Sequence, residues 1–192
     1  EGYYPEDQGF DINIAGCAAG MPKDFFWPQW KGRPLIEGNE KGEYLTDRLS
    51  EEAVKFIEDN KENPFFLYLS HYSVHIPLQA KEEMIAKYKN KPAGENGQDN
   101  PIYAAMVESV DQSVGRVMRT LKKNGLDENT VVVFTSDNGG LSVQEGRHTP
   151  ATTNAPLRGG KGHLYEGGIR EPFLVKWPGV TKPGSVCETP IC

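Results

Sequence analysis

A chain of 192 residues with 37% hydrophobic and 25% charged residues is long enough to bury one sizeable core, and it holds no run of about 18 apolar residues that could span a bilayer. Its formal charge of −6, with no basic stripe, excludes a nucleic-acid partner, because phosphate backbones are held by clustered Lys and Arg. Three cysteines, Cys17, Cys187 and Cys192, are too few for a disulfide scaffold and leave the redox compartment open.

The start, Glu1-Gly-Tyr-Tyr-Pro-Glu-Asp, reads as the middle of a surface loop without initiator Met or signal segment, and Cys187-Glu-Thr-Pro-Ile-Cys192 stops without a closing element. The expectation is a chain cut at both ends. Residues 1–43, rich in Gly, Pro and aromatics, show neither helical nor strand periodicity and read as a long ordered loop that lines a site. From Thr46 or Asp47, either of which can cap, a helix runs to Asn60 with Leu49, Ala53, Phe56 and Ile57 on its apolar face. Pro64-Phe-Phe-Leu-Tyr-Leu69 fits a buried strand, residues 81–88 a shorter helix, and 90–100 an exposed polar loop.

Ile102, Met106, Val110, Val114, Val117 and Leu121 recur at spacings of three and four, which predicts an amphipathic helix over 102–123 closed by Asn124-Gly125. Thr130–Thr135 and Pro172–Trp177 read as two more buried strands, separated by a Gly-rich stretch from Gly139 to Gly168. Helices alternating with short, fully apolar strands predict an α/β fold whose largely parallel sheet is flanked by helices on both faces. Residues 1–192 then form one unit, with residues 44–192 as its α/β core.

In an open parallel sheet, ligands bind beyond the carboxyl ends of the strands. After Leu69 come Ser70-His71-Tyr72-Ser73-Val74-His75-Ile76-Pro77, and after Thr135 come Ser136-Asp137-Asn138-Gly139-Gly140. Asp137 and Asn138 offer a carboxylate and an amide oxygen to a hard cation such as calcium, although Asp-Asn-Gly-Gly also reads as a plain turn. His71 and His75 read either as loop imidazoles satisfied by backbone or as site groups. His75, aimed by the following Ile76-Pro77, would stabilise an anion or protonate a leaving group. Pro156-Leu-Arg-Gly-Gly-Lys161-Gly-His163-Leu-Tyr-Glu-Gly-Gly-Ile-Arg170-Glu-Pro172 puts Lys161 between glycines, where it can reach an oxyanion as a point charge. No Walker spacing is present, and a flexible surface loop is the bland alternative.

Taken in order, Pro64-Phe-Phe-Leu-Tyr-Leu-Ser-His-Tyr-Ser-Val-His75-Ile-Pro77, Val131-Val-Val-Phe-Thr-Ser-Asp137-Asn138-Gly-Gly and Leu157-Arg-Gly-Gly-Lys161-Gly-His-Leu-Tyr-Glu-Gly-Gly-Ile-Arg-Glu-Pro172 resemble three successive signatures of the type I, arylsulfatase-like sulfatases. Gly9-Phe10-Asp11, Tyr44-Leu-Thr-Asp47 and Val110-Asp111-Gln-Ser-Val-Gly-Arg116 resemble connecting elements of that family. The resemblance implies an alkaline phosphatase-like fold, here incomplete. It implies calcium held in part by Asp137 and Asn138, and His75 and Lys161 as catalytic residues in contact with the substrate's sulfate group. It implies removal of sulfate from a sulfated carbohydrate or an aryl sulfate, in a periplasmic, extracellular or lysosomal compartment.

The family nucleophile is a formylglycine made from Cys or Ser in C/S-x-P/A-x-R. Cys17-Ala-Ala-Gly-Met21 has Met where that motif needs Arg, and Cys187-Glu-Thr-Pro-Ile fails as well. The family's first calcium-binding Asp pair is missing too, so this chain alone is expected to be inactive and to bind calcium weakly. Two other functions fit parts of the pattern. A phosphodiesterase or phosphonate hydrolase of the same superfamily would share the anion loop but prefer a His beside the Asp. A non-catalytic module binding sulfated glycans would account for the absent nucleophile. Tyr3, Tyr4, Trp27, Trp30 and Arg147-His148 are candidates to line a sugar subsite. Asp137 and Asn138 are expected to face a common point, with His75 and Lys161 converging within about 10 Å of it to bind one tetrahedral anion.

Overall fold

The computed structural model describes residues 3–30 and 36–191, so Cys192 lies outside the described residues. Three helices carry most of the core: α1 (Leu45–Asn60), α2 (Glu82–Lys89) and α3 (Pro101–Lys123), with α1 and α2 both packed on α3. The α3 start is fixed by Asn100, whose side-chain oxygen accepts from the backbone N–H groups of Ile102 and Tyr103 at 3.0 Å each; capping of this kind is worth about 1 kcal/mol. Its end is closed by Gly125 at φ +69°, which lets the N–H of Leu126 reach back to the Leu121 carbonyl at 2.9 Å.

Thr46 and Asp47 do not cap α1. The helix begins two or three residues earlier, after Tyr44, which leaves the Thr46 hydroxyl to meet Ser73 and the Asp47 carboxylate to meet Lys81 at 2.8 Å. The seam on α3 also departs from the apolar stripe. Ala105, Ser109, Ser113 and Thr120 are buried beside Met106 and Leu121, while Val110, Val114 and Val117 are half-buried. Small side chains on both helices, Ser50 on α1 against Ser113 on α3, allow the backbones to approach closely, and hydroxyl pairing satisfies the groups so enclosed.

The described residues before α1 hold no strand, yet they supply core. Phe25, Trp30 and Ile36 are buried against Tyr44, Leu45, Leu78 and Met106. Trp30 therefore packs in the interior, against Trp27 at 4.7 Å between ring centroids, and is withdrawn as a sugar-subsite residue. Tyr3 and Tyr4 remain exposed.

Two of the three expected strands form: β1 (Val132–Thr135) and β2 (Phe173–Lys176). They pair antiparallel, Val132 opposite Lys176 and Thr135 opposite Phe173, whereas a parallel arrangement was expected. The chain returning from the glycine-rich stretch meets the outgoing chain at Gly139, whose N–H bonds the Gly168 carbonyl, so it can only run back along β1. The α4 turn (Glu166–Ile169) is far too short to carry the crossover that a parallel neighbour requires. Pro64–Leu69 is extended without a ladder partner among the described residues, and Phe66 and Tyr68 point outward, 72% and 71% exposed. The α/β composition holds, and the described sheet is this one antiparallel pair.

Candidate active site

Three loops build the site. The first, 70–77, leaves the extended Pro64–Leu69 segment and turns at Tyr72, whose carbonyl accepts from the His75 N–H at 2.9 Å. His75 Nδ1 lies 3.1 Å from the Ile76 carbonyl oxygen, which can only accept, so Nδ1 carries the hydrogen and Nε2 is presented outward. The second loop follows β1 through Asp137 and Asn138 into Gly139-Gly140. The third carries Lys161.

These last two loops are locked by backbone contact. The Lys161 N–H bonds the Gly140 carbonyl at 3.2 Å, and Asn154 brackets Gly140 on both sides, accepting from its N–H at 2.9 Å and donating to its carbonyl at 3.0 Å. A Cβ at Gly139 would overlap the Gly167 carbonyl oxygen, so the glycines here serve backbone-to-backbone packing. The stretch is accordingly an ordered wall of the site and not a flexible surface loop.

On this frame Lys161 Nζ donates to His75 Nε2 at 2.9 Å, joining residues 86 apart in sequence. The same ammonium donates to both carboxylate oxygens of Glu145, at 2.9 and 2.7 Å. Glu145 was not singled out in the sequence, because a lone acid in a Gly-rich loop carries no periodic or motif signal. Its own loop is held by Thr149, whose hydroxyl oxygen accepts from the Glu145 N–H at 2.9 Å.

Asp137 and Asn138 follow the carboxyl end of β1, with Asp137 exposed and Asn138 half-buried. The donor chemistry fits a hard cation: a carboxylate, an amide oxygen and, nearby, Glu171, whose Oε1 is buried without a hydrogen-bond partner. Burial, and then the charge of Asp137, push the Glu171 carboxyl up from its ordinary range. Among the described residues, no group of three or more His, Cys, Asp or Glu side chains gathers into a fuller shell.

His71 does something different from His75. Its ring is enclosed beside Ser113, and burial alone pushes its pKa down from 6.5 to about 4. Between those values the unfolded chain binds a proton that the folded chain refuses, so this group lowers stability as pH falls below 6.5. The loss reaches about 3 kcal/mol below pH 4. His71→Gln, which cannot titrate, is therefore expected to flatten the decline of stability between pH 6.5 and 4 in urea unfolding. A decline as steep as in the unsubstituted chain would contradict the burial of this ring.

The family model described as Sulfatase matches residues 3–190. The chain belongs to the sulfatase family. It is 41% identical over 165 residues to a sulfatase of Formosa agariphila, covering 81% of this chain and 28% of that protein. It is 41% identical over 150 residues to rat steryl-sulfatase, covering 76% of this chain and 24% of the relative. Among solved structures, Ps i-CgsB in complex with k-i-k-neocarrahexaose matches with a TM-score of 0.66 and 37% identity, over 92% of this chain and 42% of that one. The chain thus spans about a quarter of the length of those two curated relatives. The structural likeness confirms the α/β, alkaline phosphatase/sulfatase-like fold. No described helix of the chain is long and apolar enough to cross a membrane.

Proposed function

We propose that the whole protein is a sulfuric ester hydrolase that removes sulfate from a sulfated carbohydrate, and that this chain supplies part of its anion and calcium site. The single observation that carries the reading is the Lys161–His75 contact at 2.9 Å, which brings two nitrogens from separate loops to one point where both can reach one tetrahedral anion. Lys161 contributes a positive point charge to the sulfuryl oxygens, whose charge grows in the transition state. Its bidentate contact with Glu145 holds the flexible stem in one place before substrate arrives.

His75 keeps its Nδ1 hydrogen on the Ile76 carbonyl, so the exchangeable position faces the substrate. Protonated there, Nε2 can deliver a proton to the departing alcohol oxygen. Asp137 and Asn138 would hold calcium, which supplies Lewis-acid stabilisation of the sulfate oxygens when bound. The attacking oxygen belongs to the family's formylglycine, and none of the 192 residues stands in a C/S-x-P/A-x-R motif. This chain on its own is therefore proposed to lack turnover. The carbohydrate is favoured over an aryl sulfate because Ps i-CgsB was solved with an oligosaccharide; a periplasmic, extracellular or lysosomal compartment goes with that substrate.

The test is to offer the whole protein sulfated oligosaccharides, an activated aryl sulfate and a phosphodiester side by side. Sulfate release with little phosphodiester cleavage is the expected outcome. Preferential phosphodiester cleavage would overturn the assignment.

A further inference from the structure

The loop that carries His75 is moored to the helices by a line of small polar groups to which the sulfatase chemistry assigns no role. His71 Nε2 lies 3.1 Å from Ser113 Oγ on α3, Ser113 Oγ lies 2.7 Å from Ser50 Oγ on α1, and Ser50 Oγ lies 2.6 Å from the Thr46 carbonyl oxygen. Both serines are 1% exposed, so no water shares in these contacts.

The Ser50 hydroxyl donates to the Ser113 hydroxyl oxygen and shares its single hydrogen with the Thr46 carbonyl. Ser113 Oγ and His71 Nε2 are hydrogen-bonded, with the donor set by the imidazole tautomer, and His71 Nδ1 is buried without a partner among the described residues. The two histidines of the loop thus face different partners. His71 turns Nε2 to the helices, whereas His75 gives its Nδ1–H to the Ile76 carbonyl and turns Nε2 to Lys161.

The next two residues are moored as well. The Tyr72 hydroxyl donates to the Ala15 carbonyl at 2.7 Å, and the hydroxyls of Ser73 and Thr46 lie 2.7 Å apart. The following turn closes with the His75 N–H on the Tyr72 carbonyl. Displacing residue 71 therefore displaces the turn from which the His75 ring projects.

We propose that His71 is a positioning residue for His75: through its Nε2 hydrogen bond with Ser113 it seats the 71–75 turn on the α1–α3 seam and sets the point at which His75 Nε2 meets Lys161 and the sulfate group. The proposal rests on the sulfatase reading for its kinetic consequence. A shift of about 1 Å in a reacting group can lower turnover about 100-fold without abolishing binding.

The experiment is a double-mutant cycle in the whole protein, with His71→Leu, His75→Ala and their combination assayed for sulfate release at a temperature where circular dichroism shows all of them folded. His71→Leu is expected to lower kcat about 10- to 100-fold with KM within about threefold, and to add less than about twofold once His75 is Ala. His71→Gln, whose amide can hydrogen-bond Ser113 from near the Nε2 position, is expected to restore most of the loss. Equal losses from His71→Leu in both backgrounds would mean that it acts on the fold in general and would overturn the proposal.

If His71→Leu does not fold, Ser113→Ala takes its place in the same cycle, with the same non-additive result required. The His75 ring signals in nitrogen NMR give a second readout that needs no turnover. His71→Leu must shift the His75 Nε2 resonance, and an unshifted resonance overturns the positioning role. Absence of sulfate release by the unsubstituted protein would overturn the sulfatase reading alone.

Discussion

Replacing Lys161 with Ala in the whole protein is expected to lower kcat/KM for a sulfate ester about 100- to 1,000-fold, the usual cost of removing one preorganised donor from a developing oxyanion. The Lys161 side chain is only 24% exposed, and its ammonium contacts both His75 and Glu145, so its loss removes charge from the site and also frees the Glu145 carboxylate to repel an incoming sulfate. Lys161→Arg is not expected to rescue. A planar fork that satisfies Glu145 in a bidentate way does not also place a hydrogen on His75 Nε2. Steady-state kinetics with the substituted protein checks this, and a loss below about threefold would remove Lys161 from the anion site.

Asp137→Ala is expected to cost at least about 100-fold in turnover and to abolish the response to added calcium, because a hard cation binds according to the charge and number of its oxygen ligands. The carboxylate follows β1 beside Asn138, and its charge acts on Glu171, which has a buried oxygen with no partner among the described residues. Removing Asp137 leaves an amide and one carboxyl group, fewer charged oxygen ligands than a hard cation needs. Calcium titration by calorimetry provides a readout apart from activity. Equal affinity in the two proteins would mean that the cation, if bound, sits elsewhere.

The chemistry at this site was easier to read in the sequence than the sheet that bears it. His75 and Lys161 stood out because each follows or sits within a motif whose residue types have a chemical reason, and the structure joins them through a hydrogen bond. The α3 helix was legible from its three-and-four spacing. Its buried seam was misplaced by one residue, because a search for apolar side chains passes over Ser109 and Ser113, which pack as small groups and pair through their hydroxyls. Strand direction was beyond reach: apolar runs say that a strand can be buried, whereas the antiparallel pairing follows from the Gly139–Gly168 contact. The contacts of Glu145 with Lys161 and of His71 with Ser113 depend on partners far away in sequence, which no local pattern encodes. Trp30 illustrates the same limit, since an aromatic that lines a sugar and one that fills a core look alike until its neighbours are known.

The most direct measurement is inorganic sulfate, quantified by ion chromatography, released from a sulfated oligosaccharide with calcium present. The whole protein, produced together with a formylglycine-generating enzyme, should release sulfate catalytically, and residues 1–192 alone should release none above the uncatalysed rate. Comparable release by residues 1–192 alone would place the nucleophile within this chain. No release by the whole protein from any sulfate ester offered would contradict the central claim.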